Sequence, residues 1–554
     1  MKARLQTFYY AGSAFCVCWL ALVPAQLADP DLWGRLSVAA LWLARGQFPY
    51  QDVFSFTAYH HPWIDHEWLA GVLFYAALWL GGEFGLHMLK YSLILSLFYM
   101  VFSLSRRVLP RQPLAPLLLF CGLFLLFPIY GDAFYPTVRA QLFSLLGFAC
   151  FVRQLEQTRL NQNPIEPLSL QPLWVLLPLG VLWANAHGGF ILGLILLLLY
   201  ALGDALESKN IRAARPYLLT AVGMTLAIAI LNPYGLAYWP FILHALTMPR
   251  PFIPEWNPLP LFSADYWETK LLMLALGLAL VLTGWRPFKT RQGQTERLTP
   301  ALVLVFLIGL ALKGIRFKAF LGLGALLYLP SLLQGWLQPD FPKPENQSSP
   351  PDRISRLPGV IGVSALLVLF TCYNPYFLAR TVVQDGPFAQ TRGLIPFPLA
   401  AVRYLQKSPY RGKLINPFTW GEFLAWELYP RFQIAWDGRY EEVYTNAEFT
   451  PLTELYALPH THNPEHFRAL LNQTGGDFLL IEVISPNQSL ITKYPDWQLL
   501  YRDDFYFLYG RKSSLAQSHT DDSAETKPAN RAPAAPINPR PATIGTFFGQ
   551  FPQN

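Results

Sequence analysis

Long apolar runs separated by short polar stretches fill most of the first 377 residues. Eleven of them approach the roughly 20 residues that an α-helix needs to cross a hydrocarbon core of about 30 Å. They lie at 8–27, 86–104, 114–131, 138–153, 172–186, 188–204, 215–231, 267–285, 299–313, 317–337 and 357–377, and they predict transmembrane helices. A further apolar run, 67–81, is short and follows the polar stretch "PWIDHEW", so it reads as a helix lying in the interface. The N-terminus combines a basic start with an apolar stretch, as a signal peptide does. Gln26 stands where cleavage favours a small residue, so 8–27 reads as an uncleaved first helix.

Basic residues orient this array. With Lys2 and Arg4 inside, the inner loops carry Arg106, Arg107 and Arg111, then Arg153 and Arg159, then Lys209, Arg212 and Arg215. Arg286, Lys289, Arg291 and Arg297 follow, and then Lys343, Arg353 and Arg356. The outer loops carry far fewer, and counting 67–81 as a span would place every later cluster outside. The positive-inside rule therefore favours eleven spans, a cytoplasmic N-terminus and a C-terminal region outside. The outer face receives a large first loop (28–85), "NAHGG", a Pro-rich loop from Asn232 to Asp265, and "KGIRFK".

Beyond residue 378 the pattern shortens. "KLINPFTWGEFLAWELYPRFQIAWDGRY" reads as strand, helix, strand, with Gly421 at a turn and Pro430 ending the helix. "DFLLIEV" has a buried-strand pattern, and "WQLLYRDDFYFLYGRK" reads as a hairpin turning at Asp503–Asp504. The expected organisation is a transmembrane domain (1–377), a small outer α/β domain (378–513) and a polar, Pro-rich, disordered tail (514–554).

Composition agrees with the pattern: 53% of residues are hydrophobic and 14% charged, where a soluble chain carries about 25% charged residues. The net charge of +7 comes with no nucleic-acid motif, and loop Lys and Arg account for it in a membrane protein. Cys16, Cys18, Cys121, Cys150 and Cys372 all sit in apolar runs and read as small hydrophobes.

Candidate chemistry gathers in the outer loops. "ADPDLW" places Asp29 and Asp31 where the first span exits. Asp29 suits an N-cap, Pro30 the first helical position and Asp31 the positive helix end, while Asp31 and Arg35 stand one turn apart. A second acid pair, Asp65 and Glu67, closes the same loop. Asp132, Arg139, His187, Lys313, Arg316 and Lys318 mark other outer span ends. Charges at a membrane edge are expensive, and acids converging with bases suggest chemistry on a lipid-borne phosphate. The bland alternatives are snorkelling for Arg316, Lys313 and Lys318, and a loop role for His187. Asp437 and Arg439 in "WDGRY" suit a turn, with an acceptor contact as the alternative.

The stretch "DPDLWGRLSVAALWLARGQFPYQDVFSFTAYHHPWIDHEWL" resembles the first outer loop of polytopic GT-C glycosyltransferases. It is most similar to a bacterial group with an Asp-x-Asp-x-Trp opening and a later His-Glu-Trp. "NPYG" (232–235), "IRF" (315–317) and "NPFTWGEFLAW…IAWDGRY" (416–440) extend the likeness. The resemblance implies a helical GT-C membrane fold and a transferase that uses a polyprenyl-phosphate-linked sugar at the outer face of the cytoplasmic membrane. The acceptor is a glycan, a lipid or a protein. A first-loop acid would act as base, Asp31 first and Asp29 second. Arg316, with Lys318 and Arg139, would hold the leaving phosphate, and His66 and Glu67 would contact acceptor or donor. In some relatives the loop acids bind a divalent metal, and Asp29, Asp31 and Glu67 could do so here, although a hard cation needs more oxygen ligands.

Two other classes stay open. A transporter or flippase of lipid-linked sugars would place polar groups near the bilayer midplane, whereas the span middles here are almost free of charge. A non-catalytic membrane scaffold would use the first-loop acids as helix caps alone.

Overall fold

The computed structural model describes residues 29–108, 138–161, 170–248, 250, 253–284, 298–337, 397–457 and 463–521. In chain order the first helices are α1 (Pro30–Arg45), α2 (Trp68–Val108), α3 (Gln141–Asn161), α4 (Leu176–Ala186) and α5 (Ile191–Ser208). Next come α6 (Arg215–Leu231), α7 (Tyr238–Thr247), α8 (Trp267–Gly284), α9 (Leu298–Lys313) and α10 (Lys318–Leu337). Then follow α11 (Leu399–Lys407), β1 (Gly412–Ile415), α12 (Gly421–Leu428) and β2 (Phe432–Ile434). The chain continues through α13 (Asn446–Ala457), α14 (Pro464–Thr474), β3 (Phe478–Glu482), β4 (Trp497–Arg502), β5 (Tyr506–Arg511) and α15 (Lys512–Asp521). Gly82, at φ 58° and ψ −146°, breaks α2, which no side-chain-bearing residue would do as readily.

Two compact units divide the chain, residues 1–25 with 87–382 and residues 26–86 with 383–554. The first unit is helical. Eight of the eleven expected spans coincide with its helices, while 8–27, 114–131 and 357–377 lie outside the described residues. Met88–Ser105, Gly188–Ser208 and Ile211–Leu231 are each long and apolar enough to cross a membrane. Small residues bring helices close: a side chain at Gly203 would strike Thr299 of α9, and one at Gly180 would strike Met224 of α6. At one end Arg159 of α3 reaches Asp204 at 3.0 Å and Glu207 at 2.8 Å, both on α5. Tyr217 of α6 donates to Asp204, and Glu207 accepts from the Leu298 amide that opens α9, so one polar knot ties four helices. The Pro-rich loop expected from Asn232 to Asp265 contains α7, because Tyr238 and Ile242, one turn apart, both find buried positions.

In the second unit a five-stranded sheet runs in the order β2-β1-β3-β5-β4. β1 pairs in parallel with β2 and β3, while β5 lies antiparallel to β3 and β4. The β4–β5 hairpin turns where expected: Asp503 accepts from the amides of Phe505 and Tyr506 through its side chain, a local Asx turn. α15 carries ordered helix to Asp521, past the expected start of the tail at 514, because Leu515 is buried and Ser514 donates to Asp477. Residues 522–554 lie outside the described residues.

The first loop completes this sheet. The Ile434 amide donates to Phe54 O and the Phe56 amide to Ile434 O, both at 2.9 Å, with Ser55 bridged in parallel to Ile434. The exposed edge of β2 is thereby covered. Trp33 of α1 packs its ring against Phe423 and Trp426 of α12 and against Phe397.

Candidate functional site

The local chemistry of "ADPDLW" folds as its residues dictate. Asp29 caps α1, its Oδ1 accepting from the Asp31 amide at 3.1 Å, with Pro30 at the first helical position. Asp29 is buried, whereas Asp31, in the first turn, is exposed. Arg35, one turn on, is buried and turned toward a cluster of acids. Its Nε lies 2.6 Å from Glu67, and its Nη1 lies 3.1 Å from Glu442 and 3.5 Å from Asp65. His66 Nδ1 stands 2.9 Å from Glu442, and the Trp63 indole donates to Glu442 as well.

This cluster sets its own charges. Burial, and then the Glu442 carboxylate, push Asp65 up to about 7, against the pull of Arg35. Burial alone would lower His66, but its hydrogen bond to Glu442 and the charges of Glu442 and Glu67 raise it to about 9. Glu442 is held below the usual range because Arg35 and His66 outweigh its burial. At neutral pH two cations, Arg35 and His66, thus face the ionised Glu442, with Asp65 near its midpoint.

A second buried centre lies in the same unit. Arg439 Nη1 is 2.6 Å from Asp52 and its Nη2 is 2.7 Å from Asp437, and its guanidinium carbon sits 4.7 Å from the Trp63 ring centroid. The turn reading of "WDGRY" is satisfied, since Asp437 also accepts from the Arg439 amide. Asn416 explains why "NPF" and "AWDG" go together. Its Oδ1 accepts from the Ala435 amide at 2.9 Å and its amide donates to Trp436 O at 3.0 Å.

Between these centres and the open end of α1 stands Glu422, in the first turn of α12. Its Oε2 accepts from the Gly34 amide at 2.8 Å. A Cβ at Gly438 would lie 2.9 Å from Glu422 Oε1 and 3.1 Å from Asp31 Oδ1, so the two oxygens are separated by no more than the sum of these, about 6 Å. Neither Glu422 nor Glu442 stood out in the sequence. The only signal was membership of, or adjacency to, "NPFTWGEF" and "WDGRY".

Arg139, Arg316 and Lys318 belong to the helical unit, at the end opposite the Arg159 knot. Glu255, from the loop after α7, stands 3.7 Å from Arg139 and 3.6 Å from Arg316. The Arg250 and Arg316 guanidinium carbons lie 4.0 and 4.1 Å from the centroid of the Trp256 ring. Lys318, buried at the start of α10, places its ammonium 4.9 Å from the Tyr266 ring centroid. The backbone fixes this corner: the Ile315 amide donates to Asn257 O and the Leu259 amide to Leu312 O. His187, also at this end, accepts at Nδ1 from the Gly189 amide at 2.9 Å and lies 2.7 Å from Ser144, a capping role. Sequence reasoning missed Arg250, Glu255 and Trp256, which lie in the Pro-rich loop.

No group of three His, Cys, Asp or Glu residues among the described residues is arranged to hold a metal. Of the acids put forward for a divalent ion, Glu67 is occupied by Arg35 and Asp29 by its helix cap.

No protein-family description matches the sequence, and neither does any curated protein. Solved structures do match. The apo oligosaccharyltransferase of Archaeoglobus fulgidus superimposes with a TM-score of 0.53 at 11% identity, over 91% of this chain and 74% of that one. The same organism's oligosaccharyltransferase AglB, in complex with an inhibitory peptide and a dolichol-phosphate, gives 0.52 at 10% identity, over 86% and 69%. Its complex with Zn and sulfate gives 0.52 at 10% identity, over 86% and 68%. The likeness establishes the fold, mostly helical with a small sheet, that these oligosaccharyltransferases have.

Proposed function

We propose that the chain is a membrane glycosyltransferase that moves a sugar from a polyprenyl-phosphate-linked donor to an acceptor hydroxyl at the outer face of the cytoplasmic membrane. The observation that carries this reading is a contrast within the first loop. Asp29, Asp52, Asp65 and Glu67 are all buried and each is bonded to the protein, while Asp31 is exposed on the first turn of α1. A carboxylate exposed at the head of α1 can reach a substrate, which its buried neighbours cannot.

In this reading Asp31 accepts the proton of the acceptor hydroxyl as its oxygen attacks the anomeric carbon. The bond from that carbon to the phosphate oxygen breaks, and the polyprenyl phosphate leaves with the electron pair. A single displacement inverts the anomeric centre. Arg316 and Arg139 receive the phosphate, since guanidinium groups offer paired donors and stay charged. Lys318 adds a point charge. His66 and Glu67 hold Arg35 and the loop in place, so their effect on substrate is indirect. No step is assigned to a metal. A dolichol-phosphate bound by an oligosaccharyltransferase of the same fold supports the donor class.

Cells lacking the chain, complemented with wild type or Asp31→Asn, provide the test. Mass spectrometry of envelope glycans and lipid-linked sugars should show a product restored by wild type. The variant, inserted at wild-type level, should make it about 10²-fold more slowly or worse. Full restoration by Asp31→Asn would defeat the reading.

A further inference from the structure

The Glu422 carboxyl is buried at 2% exposure, yet only one of its oxygens is used. Oε2 takes the Gly34 amide, and Oε1 has no hydrogen-bond partner among the described residues. An unmet oxygen of a buried acid is costly unless something occupies it. Two glycines make room for this group. A side chain at Gly34 would overlap the carboxyl itself, and one at Gly438 would press on both Oε1 and Asp31 Oδ1. The free oxygen therefore lies within about 6 Å of Asp31 Oδ1, with no hydrogen bond joining the two in this structure. We propose that Glu422 is a positioning residue for Asp31: as the corner closes on its substrates, the Glu422 carboxyl donates a hydrogen bond to the Asp31 carboxylate and so orients the base toward its acceptor.

This inference rests on the glycosyltransferase reading given above. The surrounding charges agree with it. Burial, and then Asp31 and Asp437, push the Glu422 carboxyl well above the usual carboxylate range, against Arg35 and Arg439. Those four residues are the charged groups that bear on it from α1 and from the segment after β2. A neutral carboxyl supplies one O–H donor, which an ionised one cannot. The donated bond favours the ionised form of Asp31 and keeps it a competent base to lower pH.

Glu422→Gln keeps both functions, an oxygen for the Gly34 amide and an N–H for Asp31. Glu422→Met keeps the volume and removes the donor. Membrane vesicles of the source cell, containing native donor and acceptor, are assayed for the chain-dependent product from pH 5 to pH 8. Glu422→Gln should stay within about threefold of wild type with an unmoved acidic limb. In Glu422→Met the acidic limb should rise by roughly one pH unit. A limb that stays put in Glu422→Met, or a Glu422→Gln variant as impaired as Glu422→Met, overturns the proposal. Asp31→Asn is assayed alongside: if it is fully active the glycosyltransferase reading fails, and if it is inactive while the Glu422→Met limb is unmoved, this inference alone fails. Circular dichroism of each purified variant separates loss of fold from loss of the bond.

Discussion

Two arginine centres in this protein use the same side chain for opposite ends. In the unit that joins the first loop to the C-terminal segment, Arg35 and Arg439 are buried and meet carboxylates at 2.6 to 2.7 Å. In the helical unit, Arg139 and Arg316 both stand 3.6 to 3.7 Å from Glu255, and Arg316 and Arg250 lie against an indole. Charge-assisted hydrogen bonds run about 2.7 to 2.9 Å, so the first set stands at bonding distance, while the Glu255 contacts of the second are longer. A buried guanidinium in close ion pairs holds a fold, whereas one stacked on an aromatic face at a longer carboxylate contact can exchange that contact for an incoming anion.

The sharpest way to break the comparison is at Arg439. Removing it strands Asp52 and Asp437 in a buried setting and detaches the first loop from β2. Arg439→Ala should lose roughly 3 to 5 kcal/mol of stability, the scale for one partner leaving a buried pair. Arg439→Lys should recover little, because a point charge cannot bond Asp52 and Asp437 together. Thermal unfolding in detergent checks this, and a variant that melts with wild type would show that the pairs are not structural.

At Arg316 the effect should fall on ligand instead of fold. Arg316→Ala should weaken binding of undecaprenyl phosphate by about 10- to 100-fold, matching roughly 1.5 to 3 kcal/mol for hydrogen bonds to a charged group. Its melting temperature should stay near wild type, since Glu255 and Arg316 are both partly open to solvent. Binding titrations in nanodiscs measure the first, and a melting curve the second.

The difference between the two centres was half visible in the sequence. The cap at Asp29 and the Asp503 turn follow from neighbours within a few residues, so local rules read them. Three helices long and apolar enough to cross a membrane also stand where apolar runs were expected, because a helix in lipid needs only a long apolar run. Arg35 and Glu442 stand 407 positions apart, and Gly34 and Glu422 stand 388 apart. No periodicity or spacing joins such pairs. "WDGRY" was legible as a turn, but its partner Asp52 was not, since a carboxylate in a loop looks the same whether it caps, pairs or reacts. Asp31 ranked above Asp29 because capping already accounted for Asp29, while its exposure among buried neighbours needed coordinates.

Titration sharpens the comparison further. His66 is raised from 6.5 to about 9, so the folded state holds a proton that the unfolded chain has released. The stabilisation it brings is complete below about pH 6.5 and is lost as pH rises through 9. Asp65, raised from 3.8 to about 7, acts with the same sign in a lower window, from about 4 to 7. Stability of the loop-bearing unit should therefore drop by roughly 1 to 2 kcal/mol between pH 7 and pH 8.5. Limited proteolysis across this range reads the effect. His66→Gln should be less stable at pH 7 and flat thereafter; a wild-type slope in that variant would assign the loss to other groups.

The smallest effect tests the loose centre from its acid side. Glu255 bridges Arg139 and Arg316 from a loop, at distances too long for strong bonds. A phosphate that enters between the two arginines must compete with that carboxylate, which gains little from staying. Glu255→Gln removes the competing charge and leaves the shape. Undecaprenyl phosphate should then bind about two- to fivefold tighter, the scale of an exposed ion pair below 1 kcal/mol. Release of the lipid product should slow in proportion. If Glu255 instead organises the arginines for phosphate, the same substitution weakens binding, and the two centres would then be alike in needing their acids.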